Sequence, residues 1–248
     1  AEITKKYRLV SLANALENIH FPASETELAN AKHRLGFDEL FFIQLSLAFI
    51  KANWAQQTSH PITTASDFLP KFQAQLSFTL TATQNHAIQE ILADLASAKA
   101  TNRLLLGDVG SGKTVVAAAA ICAAAQAGYQ VALMVPTEVL AVQHYQNLQP
   151  LLEKFGVSTT LLTGSTKLTS YADIQSGQVN LVIGTHALIQ TKVNFKNLNL
   201  VIIDEQHRFG VGQRSQLKNK ARGDTPHFIS LSATPIPRTV FLTLFSDL

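Results

Sequence analysis

The sequence predicts an α/β protein, with a mainly parallel sheet carrying helices on both faces, preceded by an all-helical segment. Three observations lead to this. From residue 77 onward, short apolar runs alternate with helical segments, the pattern of a parallel sheet. Runs such as Leu200-Val201-Ile202-Ile203 are apolar on consecutive residues, as expected of a strand covered on both faces. Residues 1–76 carry apolar residues at helical spacing instead.

In chain order, Leu12, Leu16 and Ile19 recur at helical spacing until Pro22 interrupts them. Residues 25–35 read as a short amphipathic helix ended by Gly36, and Asp38 as the N-cap of a longer helix through Phe41, Leu45 and Phe49 towards Trp54. The polar stretch 56–61 is a loop, and residues 67–76 form one more helix. His20, His33 and His60 are scattered without catalytic spacing, so residues 1–76 read as a helical linker. The strands expected after it are 103–106, 130–135, 158–162, 180–183, 200–203 and 227–231, with helices near 82–98, 113–127, 138–155 and 167–176.

Composition narrows the class. A chain of 248 residues holds one or two domains, and 46% hydrophobic against 15% charged residues allows a sizeable core. The longest apolar stretches, 40–50 and 115–125, are too short to span a bilayer, and no secretory leader opens the chain. A single cysteine, Cys122, excludes an internal disulfide and a multi-cysteine metal cluster. These features predict a soluble, intracellular protein. The net charge of +3 is carried entirely by residues 77–248. Five basic residues and no acid fall between Gln206 and Gly223, as either a solvated helix face or a phosphate-contacting patch; composition alone favours the former. The only methionine is Met134 and the chain stops within an apolar-rich stretch, so the sequence reads as part of a longer protein.

Gly107-Asp108-Val109-Gly110-Ser111-Gly112-Lys113-Thr114 fits the phosphate-loop pattern, entered by an apolar strand and left by an alanine-rich helix. Glycines there let backbone N–H groups turn inward around phosphate oxygens, and the helix N-terminus adds its positive dipole end. Lys113 is placed to reach the β- and γ-phosphates, and the Thr114 hydroxyl to ligate Mg²⁺. The strand Leu200–Ile203 runs directly into Asp204-Glu205, where open α/β sheets bind ligands. Asp204 is then a natural Mg²⁺ holder, and Glu205 is suited to deprotonate an attacking water. With no acceptor site evident, the two motifs fit hydrolysis of a nucleoside triphosphate better than transfer to a small acceptor.

Asp204-Glu205-Gln206-His207 behind this phosphate loop resembles the box of superfamily 2 helicases of the DExH type. Phe78 to Gln84 resembles the adenine-recognising Q motif, 136–141 motif Ia, 184–188 motif Ib, and 232–239 motif III. The strings GDVGSGKT, GTHALI, DEQHRFGVGQR and ATPIPRT, in that order, resemble the RecG family of bacterial branch-migration helicases. The likeness is dense over 78–248 and looser at 18–22 and 34–40, which resemble that family's helical linker. Transcription-repair coupling translocases share the motor type, but their box usually reads Asp-Glu-Glu-His, so Gln206 favours the former family.

The resemblance implies a RecA-like motor lobe that uses ATP and Mg²⁺ to move on branched or forked duplex DNA in a bacterial cytoplasm, with no membrane involved. It implies that Gln84 reads adenine, that Phe78 either stacks on the base or is an ordinary core phenylalanine, and that Thr137, Thr185 and His186 contact the DNA backbone. Gln206, His207, Arg208, Thr234 and Arg238 would contact DNA or couple it to nucleotide state. Ser232 stands where threonine is common and keeps the hydroxyl. The family's wedge domain and second motor lobe, with the arginine that completes the ATP site, have no counterpart in these residues. A chain that binds nucleotide and DNA without turnover is therefore the alternative.

Overall fold

The computed structural model describes residues 2–164, 170–205, 216–221 and 223–233. Contacts divide the chain into two compact units, each described by itself.

Within the described residues, the first unit covers 2–53 and holds α1 (Glu2–Lys6), α2 (Leu12–His20) and most of α3 (Glu25–Ala55). Ser11 caps α2, its hydroxyl accepting from the Asn14 amide at 3.2 Å. The half-buried Arg34 donates to the Val10 carbonyl at 3.0 Å and pairs with Asp38 at 2.9 Å. Tyr7, Phe37 and Phe41 form a chain of ring contacts at 5.0 and 5.7 Å. The two helices expected at 25–35 and 38–54 are one helix, which corrects the sequence reading. Gly36 has open space where a side chain would sit, no proline follows it, and the Arg34–Asp38 pair bridges it at i,i+4. Asp38 is thus an ion-pair partner inside a helix and not an N-cap. A glycine at such a position costs a helix about 1 kcal/mol without ending it.

The second unit, residues 54–236, continues with α4 (Phe68–Ala74), α5 (Ala82–Leu95), β1 (Asn102–Leu106), α6 (Lys113–Gln126), β2 (Gln130–Met134) and α7 (Glu138–Glu153). Then come β3 (Thr159–Leu162), α8 (Ser170–Ser176), β4 (Leu181–Gly184), a 3₁₀ turn (His186–Ile189), β5 (Leu198–Asp204) and β6 (His227–Ser232). The six strands form one wholly parallel sheet in the order β1-β6-β5-β2-β4-β3. Successive residues of each central strand feed opposite cores: Val131, Leu133, Leu200 and Ile202 meet α5, α6 and α7, whereas Ala132, Met134, Val201 and Ile203 meet Ile174, Leu188 and Phe195. This is the α/β fold expected from the sequence, with strand ends within two residues of those read from it. Helix α6 is buried from Val115 to Ala124, where alanines allow close approach of the helix to the sheet. Cys122 is buried there, and burial pushes its thiol up to about 12, well outside the reactive range.

Residues 54–76, read from sequence with the helical segment, group with the sheet. Ile62, Phe68 and Phe72 are buried in the same core as Ile88 and Leu95. The backbone of 57–62 is bonded to the segment before β1, through Ser59 N to Ala98 O, Ala100 N to Gln57 O and Ile62 N to Leu95 O at 2.8–3.0 Å. No helix among the described residues is long and apolar enough to cross a membrane.

Candidate functional site

The carboxyl edge of the sheet collects the predicted chemistry. Gly110 and Gly112 of the loop leaving β1 have φ of 79° and 85°, the left-handed region that favours glycine. A Cβ on Gly112 would also run into the Gln84 amide, and one on Gly107 into the Ser111 hydroxyl. The loop is therefore a backbone cradle with no room for side chains at these points, the shape that phosphate oxygens need. Lys113 opens α6, and its Nζ donates to the carbonyls of Gly107 at 2.6 Å and Asp108 at 2.8 Å. Its ammonium lies across the loop. Thr114 follows it, half-buried, in the first turn, while Asp108, Val109 and Ser111 are exposed.

Gln84 is the third residue of a capping box on α5: its backbone N–H donates to the Thr81 hydroxyl at 3.2 Å, and its Oε1 accepts from the Thr81 backbone amide at 2.9 Å. Its Nε2 donates to the Ser111 carbonyl at 2.8 Å. In this structure Gln84 ties helix α5 to the phosphate loop. A cavity of about 280 Å³ opens beside it, lined among others by Thr83, Gln84, Leu106, Gly107 and Lys113. Phe78 is 52% exposed and is not among its lining residues.

Asp204 ends β5. Its Oδ1 accepts from the Glu205 amide at 2.9 Å, and its Oδ2 lies 2.8 Å from His144 Nε2. Glu205 sits at φ 54°, an uncommon conformation for a residue with a side chain. Its amide also reaches the Leu231 carbonyl at 3.0 Å. One strand away, the Gly107 amide donates to the Ser232 carbonyl at 3.2 Å. The end of β6 therefore holds both the phosphate loop and the acid pair. This is where the sequence places the start of motif III; Ser232 is buried, and Thr234 and Arg238 lie outside the described residues.

The other expected positions separate. Thr137 is exposed and caps α7, its hydroxyl oxygen accepting from the Leu140 amide at 3.3 Å. Its own O–H stays available to donate. His186 is exposed, but Thr185 is 2% exposed, and its hydroxyl has no partner among the described residues. The Thr185 side chain thus faces inward, and of the two only the His186 side chain is open to solvent. Gln206, His207 and Arg208 lie outside the described residues. Of the basic stretch, Lys218 donates to Gln57 Oε1 at 2.7 Å, and Lys220 to the carbonyls of Gln190 and Val193 at 2.6 and 2.8 Å. Burial pulls the Lys220 ammonium below its ordinary value. These two lysines tie parts of the α/β unit together through side-chain and backbone oxygens. His144 was missed from sequence; the only signal is its place seven residues after Thr137, on the same face of a helix.

Hard oxygen donors at Thr114 and Asp204, beside a cradle that a Cβ would fill, suit a nucleotide with Mg²⁺. No three His, Cys, Asp or Glu side chains cluster as a metal cage among the described residues. Mg²⁺ needs none, because it keeps waters and takes phosphate oxygens alongside one or two protein ligands.

A glycine loop between strand and helix, and an Asp-Glu pair at the same edge of a six-stranded parallel sheet, define a P-loop nucleotide-binding lobe of the RecA-like kind. More particularly, the chain belongs to the DEAD/DEAH box helicase family, whose profile matches residues 81–242. It is 50% identical to the ATP-dependent DNA helicase RecG of Synechocystis sp. and 44% identical to that of Bacillus subtilis, matching all of this chain but 30% and 37% of theirs. It thus spans about a third of the length of these curated relatives. A solved structure of RecG bound to a three-way DNA junction superposes with a TM-score of 0.86 at 42% identity, over all of this chain and 34% of that one. A DEAD box protein from Methanococcus jannaschii, 22% identical over 71% of this chain and 50% of that one, shares the fold at a TM-score of 0.55.

Proposed function

We propose that this chain is the ATP-binding first motor lobe of a RecG-type helicase, which uses ATP hydrolysis to move on duplex DNA and remodel branched junctions in recombination and repair. In this reading the helical segment is the linker, and the wedge domain and second motor lobe belong to the rest of the parent protein. The observation that carries the proposal is the pair of bonds from the end of β6, to the phosphate loop through Gly107 and to the acid pair through Glu205. A shift of one strand end then moves the phosphate cradle and the catalytic pair together.

Each residue has a task. Backbone amides of Gly107 to Lys113 and the N-terminus of α6 bind the phosphates. Lys113 exchanges its two carbonyl bonds for phosphate oxygens, a swing that its long stem permits. Gln84 lies beside the cavity and is placed to read adenine. Phe78, exposed and outside the lining, has to move to stack on the base. Thr114 and Asp204 would hold Mg²⁺, which would supply charge neutralisation for the bound phosphates. Glu205 takes the proton of the attacking water. Thr137 and His186, both exposed, contact the DNA backbone. Gln206, His207, Arg208, Thr234 and Arg238 keep the coupling or DNA roles that the family resemblance implies.

A second reading, binding of nucleotide and DNA without turnover, draws on the cavity lining, in which Lys113 is the sole cation among the described residues. An arginine supplied from outside is worth about 10³–10⁵ in rate for phosphoryl transfer. The experiment is nucleotide binding and steady-state ATP hydrolysis, with and without forked duplex DNA, on this chain and on Lys113→Ala. We expect binding that the substitution weakens by about 10- to 100-fold, the loss of charge-assisted bonds, and very low turnover with little stimulation. Unchanged binding in Lys113→Ala would refute the site. Strong DNA stimulation that depends on Lys113 would discard the second reading.

A further inference from the structure

His144 is the one side chain that reaches the proposed metal-holding carboxylate from another part of the chain among the described residues. It lies on α7, two turns after the Thr137 cap, and its ring nitrogen Nε2 is 2.8 Å from Asp204 Oδ2. The two side chains are 12% and 16% exposed. A carboxylate oxygen only accepts, so Nε2 carries the hydrogen and donates it. The other oxygen, Oδ1, takes the amide of Glu205 at 2.9 Å. Both oxygens of Asp204 are therefore held, one by the residue that follows it and one by a helix far away in sequence. About two lone-pair sites remain for a ligand, in a plane that neither bond lets rotate.

We propose that His144 is a positioning residue: by its Nε2–H bond it fixes the Asp204 carboxylate in the orientation in which it takes Mg²⁺ with bound nucleotide. The inference rests on the reading of Asp204 as a magnesium holder. Mg²⁺ demands near-ideal octahedral geometry, so a carboxylate free to turn binds it less well than one already aligned. Partners that orient a metal ligand are commonly worth 10- to 100-fold in metal affinity. The bond also makes the carboxylate's orientation depend on α7, the helix whose exposed N-terminus carries Thr137. A bystander histidine, buried only because α7 packs on the sheet, would have no preference for the metal-loaded site.

The test separates these. Binding of a non-hydrolysable ATP analogue is titrated calorimetrically with Mg²⁺ and with EDTA, for the unaltered chain, His144→Ala, His144→Gln and Asp204→Asn, and melting curves establish that each is folded. The unaltered chain should bind more tightly with Mg²⁺, and Asp204→Asn should lose that gain. His144→Ala should lose about 10-fold of the gain while its affinity in EDTA is unchanged. His144→Gln, which offers an amide N–H at similar reach, should restore most of it. A folded His144→Ala that keeps the whole magnesium gain overturns the proposal, as does an equal loss with and without Mg²⁺, or a glutamine variant no better than alanine. If Asp204→Asn itself keeps the gain, the magnesium assignment fails and the inference with it, whereas the weakened binding expected of Lys113→Ala bears on the phosphate site alone.

Discussion

The helical segment and the α/β unit use apolar residues in opposite ways. Among the side chains described in residues 2–53, the buried hydrophobic ones are Ala15 and Ala31, while Leu12, Leu16, Leu40, Leu45 and the phenylalanines 21, 42 and 49 are all at least 48% exposed. In the α/β unit every residue of β2, β4 and β6 is buried. The first unit is held by a cap, an ion pair and a chain of rings; the second is held by two cores on either side of a sheet. A parallel sheet covered on both faces constrains each successive residue, and a functional loop at its edge inherits that rigidity. A helix with one lightly covered face constrains few positions.

The sharpest way to break this comparison is to truncate one leucine in each unit. Leu133 in β2 is fully buried, and Leu133→Ala should cost about 2–5 kcal/mol of unfolding free energy, from lost transfer energy and the cavity left behind. Leu45 on α3 is half exposed, and Leu45→Ala should stay within about 0.5 kcal/mol. Denaturant titrations followed by circular dichroism measure both. A comparable cost at Leu45 would mean that α3 is packed as tightly as the sheet, and the contrast would collapse.

Gly36 sharpens the comparison from the other side. Its backbone is helical, and a Cβ there would meet nothing within 4 Å. Gly36→Ala should therefore stabilise α3 by about 1 kcal/mol, seen as higher helicity and slower amide exchange across 25–53. The same exchange at Gly112 should do the reverse to the phosphate loop, because φ is 85° and the Gln84 amide occupies the space. A loss of helicity in Gly36→Ala would reveal a close neighbour on that face.

How far the sequence could be read follows the same division. The strands were legible because consecutive apolar residues leave a two-sided strand as the natural reading, and the phosphate loop because its glycines are required at fixed offsets. Asp204 and Glu205 were legible because they interrupt the apolar run of β5. The helix through Gly36 was misread because glycine stops a helix only when tertiary contacts allow it, and those are not written locally. Residues 54–76 look like more of the helical segment until Ile62, Phe68 and Phe72 are seen in the core of the sheet. The ties made by Lys218 and Lys220 and the reach of His144 to Asp204 all join residues far apart in sequence. No periodicity records such pairs.

The smallest effect expected is a pH dependence built into the α/β unit. His227, at the start of β6, is fully buried; its Nδ1 accepts from the Thr101 amide at 3.2 Å and its Nε2 donates to the His60 carbonyl at 3.1 Å. Burial, which disfavours the charged ring, pulls its pKa below the usual 6.5, and the bond to the His60 carbonyl and the field of Asp94 oppose that only in part. Above pH 6.5 the ring is neutral in both folded and unfolded chains and contributes no pH dependence. As pH falls below 6.5 the unfolded chain takes up the proton first, so stability declines until the lowered folded value is passed. His227→Gln keeps one donor and one acceptor but cannot titrate. It should be less stable than the unaltered chain at about pH 7.5, yet lose less on going to about pH 5.5. Melting temperatures across that range measure the difference in slope, and parallel curves would mean that the ring takes up its proton without leaving the core.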